Sequence, residues 1–194
     1  GLSEEYTNKF SGVGRLIGNQ QLEKLARSHV AVLGLGGVGS WVVEALARSG
    51  VGRLTLVDFD DICTSNFNRQ IQATEGQVGK LKTQVLKERV EHIHKDCQVK
   101  LIEEAFSKTT CDEILDNDYD YVVDAIDGVE AKCYLISRCR EKNIPVITIG
   151  AAGGRRDPLK IKVDDLSFAR EDQLLKYVRK KLRRRFDFPR DQEV

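Results

Sequence analysis

A chain of 194 residues is long enough for one globular domain, which buries about 70% of the surface that its unfolded form exposes. Lys and Arg number 31 against 30 Asp and Glu, and 41% of the residues are hydrophobic, so global disorder is excluded and a wholly basic nucleic-acid binder is disfavoured. No run of 18 apolar residues and no signal peptide is visible, and we therefore expect no membrane span in this segment.

Short apolar runs alternate with segments of helical period along most of the chain. The first 25 residues show helical spacing and predict a helical arm, acting as a lid or a dimer contact. Predicted strands follow at 30–33, 54–57, 99–102, 121–124 and 145–149, with a further strand at 161–163. Predicted helices are 40–49, 78–94, 108–115 and 129–142, and a basic helix at 168–186. This order predicts an α/β fold of the Rossmann-like, doubly wound class, with a mostly parallel sheet and helices on both faces.

The charge is divided unevenly along the chain. Residues 1–154 carry 18 basic and 22 acidic side chains, whereas residues 155–190 carry 13 basic and 6 acidic ones. We therefore divide the chain into a body over 1–165 and a basic C-terminal extension over 166–194, and expect the extension to meet an anionic partner. A solvated helix face is the alternative interpretation of the extension.

A glycine-rich turn follows the first predicted strand and opens the first predicted helix of the sheet. Its residues Gly34, Gly36, Gly37 and Gly39 permit close backbone approach, and the helix N-terminus offers amide donors to phosphate. Asp58 closes the second strand, where a carboxylate accepts hydrogen bonds from ribose hydroxyls. Together they predict a nucleotide site, against the alternative of a tight structural turn.

The loop after the second strand indicates which nucleotide is bound. Asp60 runs into the segment Ser65-Asn66-Phe67-Asn68-Arg69-Gln70, and Lys82 follows. An Asn, an Arg and a Lys at the end of the sheet suit a triphosphate, whose charge must be offset where pyrophosphate leaves. Asp127 follows the fourth strand, and a lone carboxylate with phosphate oxygens is a usual way to hold Mg²⁺.

Each of these residues also has a plainer interpretation. Arg69 suits a surface ion pair, Lys82 a solvated helix position, and Asp127 the N-cap of the helix that begins near Val129. Their occurrence together favours the nucleotide site.

These motifs resemble the adenylation domain of ubiquitin-activating enzymes and of their bacterial relatives ThiF, MoeB and HesA. The resemblance covers about residues 10 to 165. Within that superfamily the chain is most similar to the tRNA threonylcarbamoyladenosine dehydratases, because of four segments: Phe10–Leu16, Gly37–Arg48, Asn68–Ile71 and Gly150–Gly154.

The resemblance implies ATP and Mg²⁺ as cofactors and gives a role to each site residue. Gly37 would lie against the nucleotide, Asp58 would hold the ribose, and Asp127 would bind Mg²⁺. Arg15 would reach the triphosphate held by the other subunit of a homodimer. The phosphates would be contacted by Asn66, Arg69 and Lys82, with Lys80 as a competitor for the lysine role.

The implied reaction is adenylation of the carboxylate of threonylcarbamoyladenosine in tRNA, followed by cyclisation with net loss of water. The resemblance implies a tRNA substrate and leaves room for a sulfur-transfer partner protein. The cytoplasmic location is expected from the five cysteines, whose odd number and lack of a repeated short spacing favour a reducing compartment. The tRNA would dock on the basic residues of the extension, which are Lys176, Arg179, Lys180, Lys181, Arg183, Arg184 and Arg185.

The chain departs from its relatives in two respects. Family members continue well past position 194, so the extension over 166–194 is expected to be truncated relative to them. The five cysteines of the chain form no Cys-x-x-Cys pair of the kind found in ThiF and MoeB, so no zinc is expected. Each cysteine is most simply a small buried apolar residue, with a thioester or sulfur-relay nucleophile as the alternative. The nearest alternative function is an activating enzyme for a ubiquitin-like or sulfur-carrier protein. A non-catalytic nucleotide-binding module and an NAD-dependent dehydrogenase are disfavoured.

Overall fold

A computed structural model describes residues 1–190, and the last four residues of the predicted extension, 191–194, lie outside it. Five parallel strands form one sheet in the order β3-β2-β1-β4-β5. The strands are β1 (His29–Leu33), β2 (Arg53–Val57), β3 (Gln98–Ile102), β4 (Tyr121–Asp124) and β5 (Val146–Thr148). The helices are α1 (Glu4–Ile17), α2 (Asn19–Arg27), α3 (Gly39–Arg48), α4 (Lys82–Ile93), α5 (Cys111–Leu115), α6 (Val129–Glu141) and α7 (Gln173–Arg185).

Helices cover both faces of the sheet because its central strands are apolar on both sides. Val30 and Val32 of β1 belong to a core shared with α3 and α4, whereas Ala31 and Leu33 belong to a core shared with α5 and α6. Successive side chains of a strand point to opposite faces, so one apolar strand supplies both cores. The predicted doubly wound α/β fold is confirmed.

The strand order places a switch point between β1 and β4. The chain leaves β1 toward β2 and β3, and then returns to β4 on the other side. In open sheets of this kind a ligand binds beyond the carboxyl ends of the strands at the switch point. That edge is formed by the turns that follow β1, β2 and β4.

The predicted strand at 161–163 is wrong. Residues 158–160 form a 3₁₀ turn, in which Asp157 Oδ1 accepts from the Leu159 amide at 3.1 Å. The amide of Ile161 donates to Pro158 O, within the turn. These amides bond within the turn instead of to a neighbouring strand. Ile161 and Val163 pair with no strand among residues 1–190, and both side chains are exposed.

Three helices begin later than predicted. α4 begins at Lys82 because the preceding residues form a turn, in which Gly79 has a φ of +86° and donates to Ile62 O. α7 begins at Gln173, where Asp172 caps the helix by accepting from the Leu175 amide. α5 begins at Cys111.

The helical arm packs on the body of its own chain. Tyr6 of α1 donates to Gly50 O at 2.6 Å, and the rings of Tyr6 and Phe10 lie 5.5 and 5.0 Å from the ring of His94. His94 is only 3% exposed. Burial lowers the pKa of His94, with Lys9 of α1 acting in the same direction and Asp96 opposing it.

We expect the free energy of unfolding to decrease as the pH falls below about 6.5, the ordinary pKa of histidine. The unfolded chain then takes up a proton that the folded state excludes from His94, at no more than about 1.4 kcal/mol per pH unit. Urea unfolding at about pH 7.5 and about pH 5 measures the loss. His94→Phe should lose less stability than the parent over this range, with the exposed His92→Phe as control. Equal losses in His94→Phe and the parent would contradict the assignment.

Candidate nucleotide-binding site

The glycine turn after β1 has no room for side chains. Gly34 has a φ of +87°, and a Cβ added there would lie 2.7 Å from Ala125 O. A Cβ on Gly39 would lie 1.7 Å from Gly34 O. Only glycine satisfies both positions, and the turn leads straight into the N-terminus of α3, where free amides face the carboxyl edge of the sheet.

The loop at 63–70 lies against this turn. A Cβ on Gly37 would contact the aliphatic part of Arg69 at 3.1 Å, and one on Gly36 would lie 3.8 Å from Gln70 Nε2. The structure therefore brings the two predicted halves of the site together. Because Gly37 carries no side chain, the Arg69 stem lies directly on the turn.

Asp58 is fixed by backbone amides. Its Oδ2 accepts from the Leu35 amide at 2.7 Å, and its Oδ1 accepts from the Asp60 amide at 2.8 Å. Each carboxylate oxygen can accept a further hydrogen bond. Asp58 is partly exposed and lies beside the glycine turn, a geometry that suits recognition of ribose hydroxyls.

The guanidinium of Arg69 is held in place by its own loop. It donates to Ser65 O and to Asn68 Oδ1, both at 2.9 Å. Trp41 of α3 donates from Nε1 to Arg69 O at 2.8 Å. The side chain is nonetheless exposed, so a preorganised cation faces solvent at this edge. Sequence reasoning missed Trp41, whose only signal was its position one turn after the glycines.

Two other predicted ligands from this loop are engaged inside the protein. Asn66 is 8% exposed, and its Oδ1 accepts from the Cys63 amide. Gln70 is 6% exposed, and its Oε1 accepts from Gln72. These contacts shape the loop, and each residue retains its amide nitrogen for a ligand. The Oε1 atom of Gln72, which is 2% exposed, has no partner among the described residues.

Lys82 and Asp60 form an ion pair at the start of α4. Lys82 Nζ lies 3.0 Å from Asp60 Oδ2, and Lys82 is 6% exposed whereas the Asp60 side chain is 50% exposed. The competitor Lys80 lies in the preceding turn with an exposed side chain. The ion pair holds the Lys82 ammonium in a fixed position, which suits contact with phosphate oxygens, and the preference for Lys82 over Lys80 stays a prediction.

Asp127 lies on the loop between β4 and α6. It is exposed, and no hydrogen bond joins its carboxylate to residues 1–190. It is not the helix cap, since Gly128 occupies that position without a side-chain bond. A free carboxylate here fits Mg²⁺, which usually takes one or two carboxylates together with substrate phosphates. No group of three or more His, Cys, Asp and Glu residues among the described residues is placed to hold a metal by itself.

Sequence reasoning also missed a buried ion pair beneath that loop. Lys132 Nζ lies 2.9 Å from Asp124 Oδ1, and both side chains are 0% exposed. The signal was available, because Lys132 shares the buried face of α6 with Leu135, Ile136 and Cys139.

Arg15 is not brought to this site by its own chain. It lies in the last turn of α1 and is exposed. α1 is anchored by contacts to Gly50 and His94. These two residues precede β2 and β3, so the contacts lie at the amino edge of the sheet. No hydrogen bond or ion pair joins Arg15 to another residue of the described part of the chain.

The basic helix α7 is divided between packing and exposure. Val178 and Leu182 are buried against Cys133 and Ile136 of α6. Arg179 and Arg183 donate to the chain's own carbonyl oxygens, and Lys181 and Arg185 pair with Glu130. Three exposed cations have side chains without a hydrogen bond or ion pair within the described residues, and these are Lys176, Lys180 and Arg184.

A groove of about 490 Å³ runs beside two of these cations, Lys180 and Arg184. It also contains Tyr177, which is 59% exposed, and Val129, two residues after Asp127. The full lining is Val129, Tyr177, Lys180, Lys181, Arg184 and Arg185. A basic groove with an exposed aromatic ring suits phosphates and an unstacked base.

Four of the five cysteines are buried, and Cys63 is exposed, so the expectation of burial is wrong for Cys63, which lies on the exposed loop. Burial raises the pKa of the Cys97 and Cys139 thiols to about 12 and that of Cys133 to about 11. These three thiols are therefore poor nucleophiles. None of the helices in residues 1–190 is long and apolar enough to cross a membrane.

The fold and this edge define a nucleotide-binding α/β protein. The model of the ThiF family matches residues 11–172. The tRNA threonylcarbamoyladenosine dehydratase of Haemophilus influenzae is 50% identical over 185 residues, covering 95% of this chain and 71% of that protein. Its counterpart from Escherichia coli is 41% identical, covering 95% of this chain and 69% of that protein.

The crystal structure of the Escherichia coli dehydratase, TcdA, in complex with ATP superposes with a TM-score of 0.94. It is 41% identical and covers 96% of this chain and 77% of that chain. The chain belongs to the ThiF family. The resemblance predicted from the motifs is therefore confirmed.

Proposed function

We propose that the chain binds ATP at the carboxyl edge of its sheet and is a tRNA threonylcarbamoyladenosine dehydratase. The observation that carries this proposal is the assembly of the glycine turn, Asp58, Arg69 and Lys82 at one edge, in a chain that is similar to such dehydratases over 95% of its length. Further support comes from the Escherichia coli relative, which has the same fold and whose crystal structure is a complex with ATP.

The chemistry requires no protein nucleophile. The substrate carboxylate attacks the α-phosphorus of ATP, the bond to the bridging oxygen breaks, and pyrophosphate leaves. An internal nucleophile of the modified nucleoside then attacks the acyl carbon of the adenylate and loses its proton, which closes a ring and expels AMP. The carboxylate oxygen departs with AMP, so the nucleoside has lost one water.

The residues of the site act by positioning and by charge. The turn amides and Asp58 orient the nucleotide, and the cations of Arg69 and Lys82 offset charge that develops as pyrophosphate leaves. Asp127 would hold Mg²⁺ against the phosphates, where the ion neutralises their charge. Arg15, which makes no contact with its own chain's site, acts on the nucleotide of a second copy in a homodimer.

An assay of radiolabelled pyrophosphate exchange into ATP, with and without modified tRNA, tests the proposal. Exchange that depends on tRNA carrying the modification, together with loss of one water from the digested nucleoside, is the expected result. Binding of NAD without binding of ATP would contradict it. Exchange supported instead by a small carrier protein ending in Gly-Gly would favour the activating enzyme.

The exposed cations of α7 are proposed to bind the phosphates of tRNA. We expect the triple variant Lys176→Gln, Lys180→Gln, Arg184→Gln to weaken tRNA binding and to reduce the slope of log K against log salt by about 2 to 3, with ATP affinity unchanged. Filter binding across a salt series measures this slope.

The matched control removes three exposed cations near the opposite edge of the sheet, with the changes Lys24→Gln, Arg27→Gln and Lys142→Gln. The control should keep the parent's slope. Equal slopes in all three proteins would assign α7 a packing role alone. Arg179 and Arg183 are left unchanged, because their bonds to the chain's own carbonyl oxygens serve the fold.

A further inference from the structure

The ion pair beneath the Asp127 loop lies in a completely buried position. Lys132 Nζ is 2.9 Å from Asp124 Oδ1 and 3.3 Å from Asp124 O. The strand β4 ends at Asp124, and the loop that carries Asp127 begins at the next residue. Lys132 lies in the first turns of α6, where that loop ends. The pair therefore joins the two ends of one short loop.

Asp124 ties this loop to the neighbouring strand as well. Its Oδ1 accepts from the Ile126 amide at 3.1 Å, and its Oδ2 accepts from the Thr148 hydroxyl of β5 at 2.6 Å. A single carboxylate thus connects β4, β5, α6 and the loop. With Lys132 and these two donors, both of its oxygens are satisfied without solvent.

The loop is also fixed to the glycine turn. The Ala125 amide donates to Leu33 O at 2.9 Å, and Ala125 O would be 2.7 Å from a Cβ on Gly34. Asp127 is consequently an exposed side chain on a loop whose backbone is held at both ends. The direction of its carboxylate depends on those anchors.

Stability gives a weak reason for such a pair. Removing two charges from water costs several kcal/mol per ion, and well-packed apolar residues in place of a buried pair often give equal or greater stability. Burial lowers the pKa of Lys132, while Asp124, Asp127 and Asp172 act in the opposite direction.

We propose that Lys132 is a positioning residue for the nucleotide site, which with Asp124 holds loop 125–128 in the conformation that presents the Asp127 carboxylate. This inference rests on the proposed function, in which Asp127 holds Mg²⁺ beside the phosphates of ATP. Lys132 touches neither group and acts through the loop.

The test is the dissociation constant of ATP, measured by equilibrium dialysis with Mg²⁺ and with EDTA. The ratio of the two constants is the magnesium coupling. Lys132→Met is expected to reduce this coupling about tenfold, because a metal ligand that loses its supporting partner binds the metal more weakly. The affinity for ATP in EDTA should stay nearly unchanged. In an Asp127→Asn background the same change should have no further effect on the coupling.

A structural role alone predicts a different pattern. ATP affinity in EDTA would fall together with affinity in Mg²⁺, and the losses from Lys132→Met and Asp127→Asn would add. Either result overturns the inference. A parent protein that binds no ATP would instead overturn the proposed function, so the two failures are distinguishable.

Lys132→Met leaves Asp124 buried without its counter-ion and risks unfolding. The double variant Asp124→Asn, Lys132→Met avoids this, because asparagine can accept from the Ile126 amide and bond to the Thr148 hydroxyl. We expect it to melt near the parent and to show the reduced magnesium coupling. A double variant that melts normally and keeps the parent's coupling overturns the inference.

Discussion

Arg69→Ala is expected to slow adenylate formation severely while leaving the fold intact. The guanidinium is already held by Ser65 O and Asn68 Oδ1 at 2.9 Å, so it meets developing charge without reorganisation. Loss of one preorganised donor of this kind lowers a rate about 10²- to 10³-fold, or about 3 to 4 kcal/mol. Pyrophosphate exchange measures adenylate formation directly, and thermal melting of the same variant measures the stability of the fold.

Two controls separate charge from geometry at this position. Arg69→Lys keeps the charge but loses the planar fork, and should recover only part of the lost activity. Arg27→Ala removes an exposed arginine from α2 and should leave exchange unchanged. Full activity in Arg69→Ala would remove this residue from the site.

The parts of the fold that follow local patterns were predictable from the sequence. The strand β1 is buried at every position and apolar from Val30 to Leu33, and the glycines after it are required by contacts as short as 1.7 Å. Alternation of strands and helices then determines the parallel sheet and the edge at which ligands bind. Local pattern failed at 161–163, where apolar alternation is present but no strand lies alongside.

The pairing of charged side chains was not predictable, because it depends on contacts between distant segments. Lys82 and Asp60 are 22 residues apart, and Arg89 and Glu44 are 45 apart, yet each pair lies within hydrogen-bonding distance. The contacts of the basic helix α7 were not predictable either. Its composition predicted one uniform cationic surface, whereas Arg183 bonds to its own chain and Arg184 is exposed.

Asp124 and Lys132 illustrate how a site is supported from beneath. The sequence predicted Asp127 as the carboxylate that holds Mg²⁺ and gave Asp124 no role. In the structure Asp124 is unavailable, because the Ile126 amide, the Thr148 hydroxyl and the Lys132 ammonium bond to its carboxylate. The sequence alone could not show which of the two carboxylates is paired.

Lys82→Met is expected to reduce pyrophosphate exchange at least about 100-fold. The ammonium is the buried partner of the pair with Asp60, so its position is fixed before the nucleotide arrives. Methionine fills a similar volume without the charge, and the fold should melt near the parent. Steady-state exchange rates at saturating ATP, with thermal melting of each variant, measure the effect.

Asp60→Asn distinguishes the two members of this pair. It leaves the charge of Lys82 in place and removes only the carboxylate that holds it, so the maximal rate should fall less than about tenfold while KM for ATP rises. Lys80→Met, in the exposed turn before α4, should have little effect on either quantity. If Asp60→Asn lost as much as Lys82→Met, the carboxylate itself would be needed in the reaction. If Lys80→Met lost more than Lys82→Met, the phosphate-binding role would pass to Lys80.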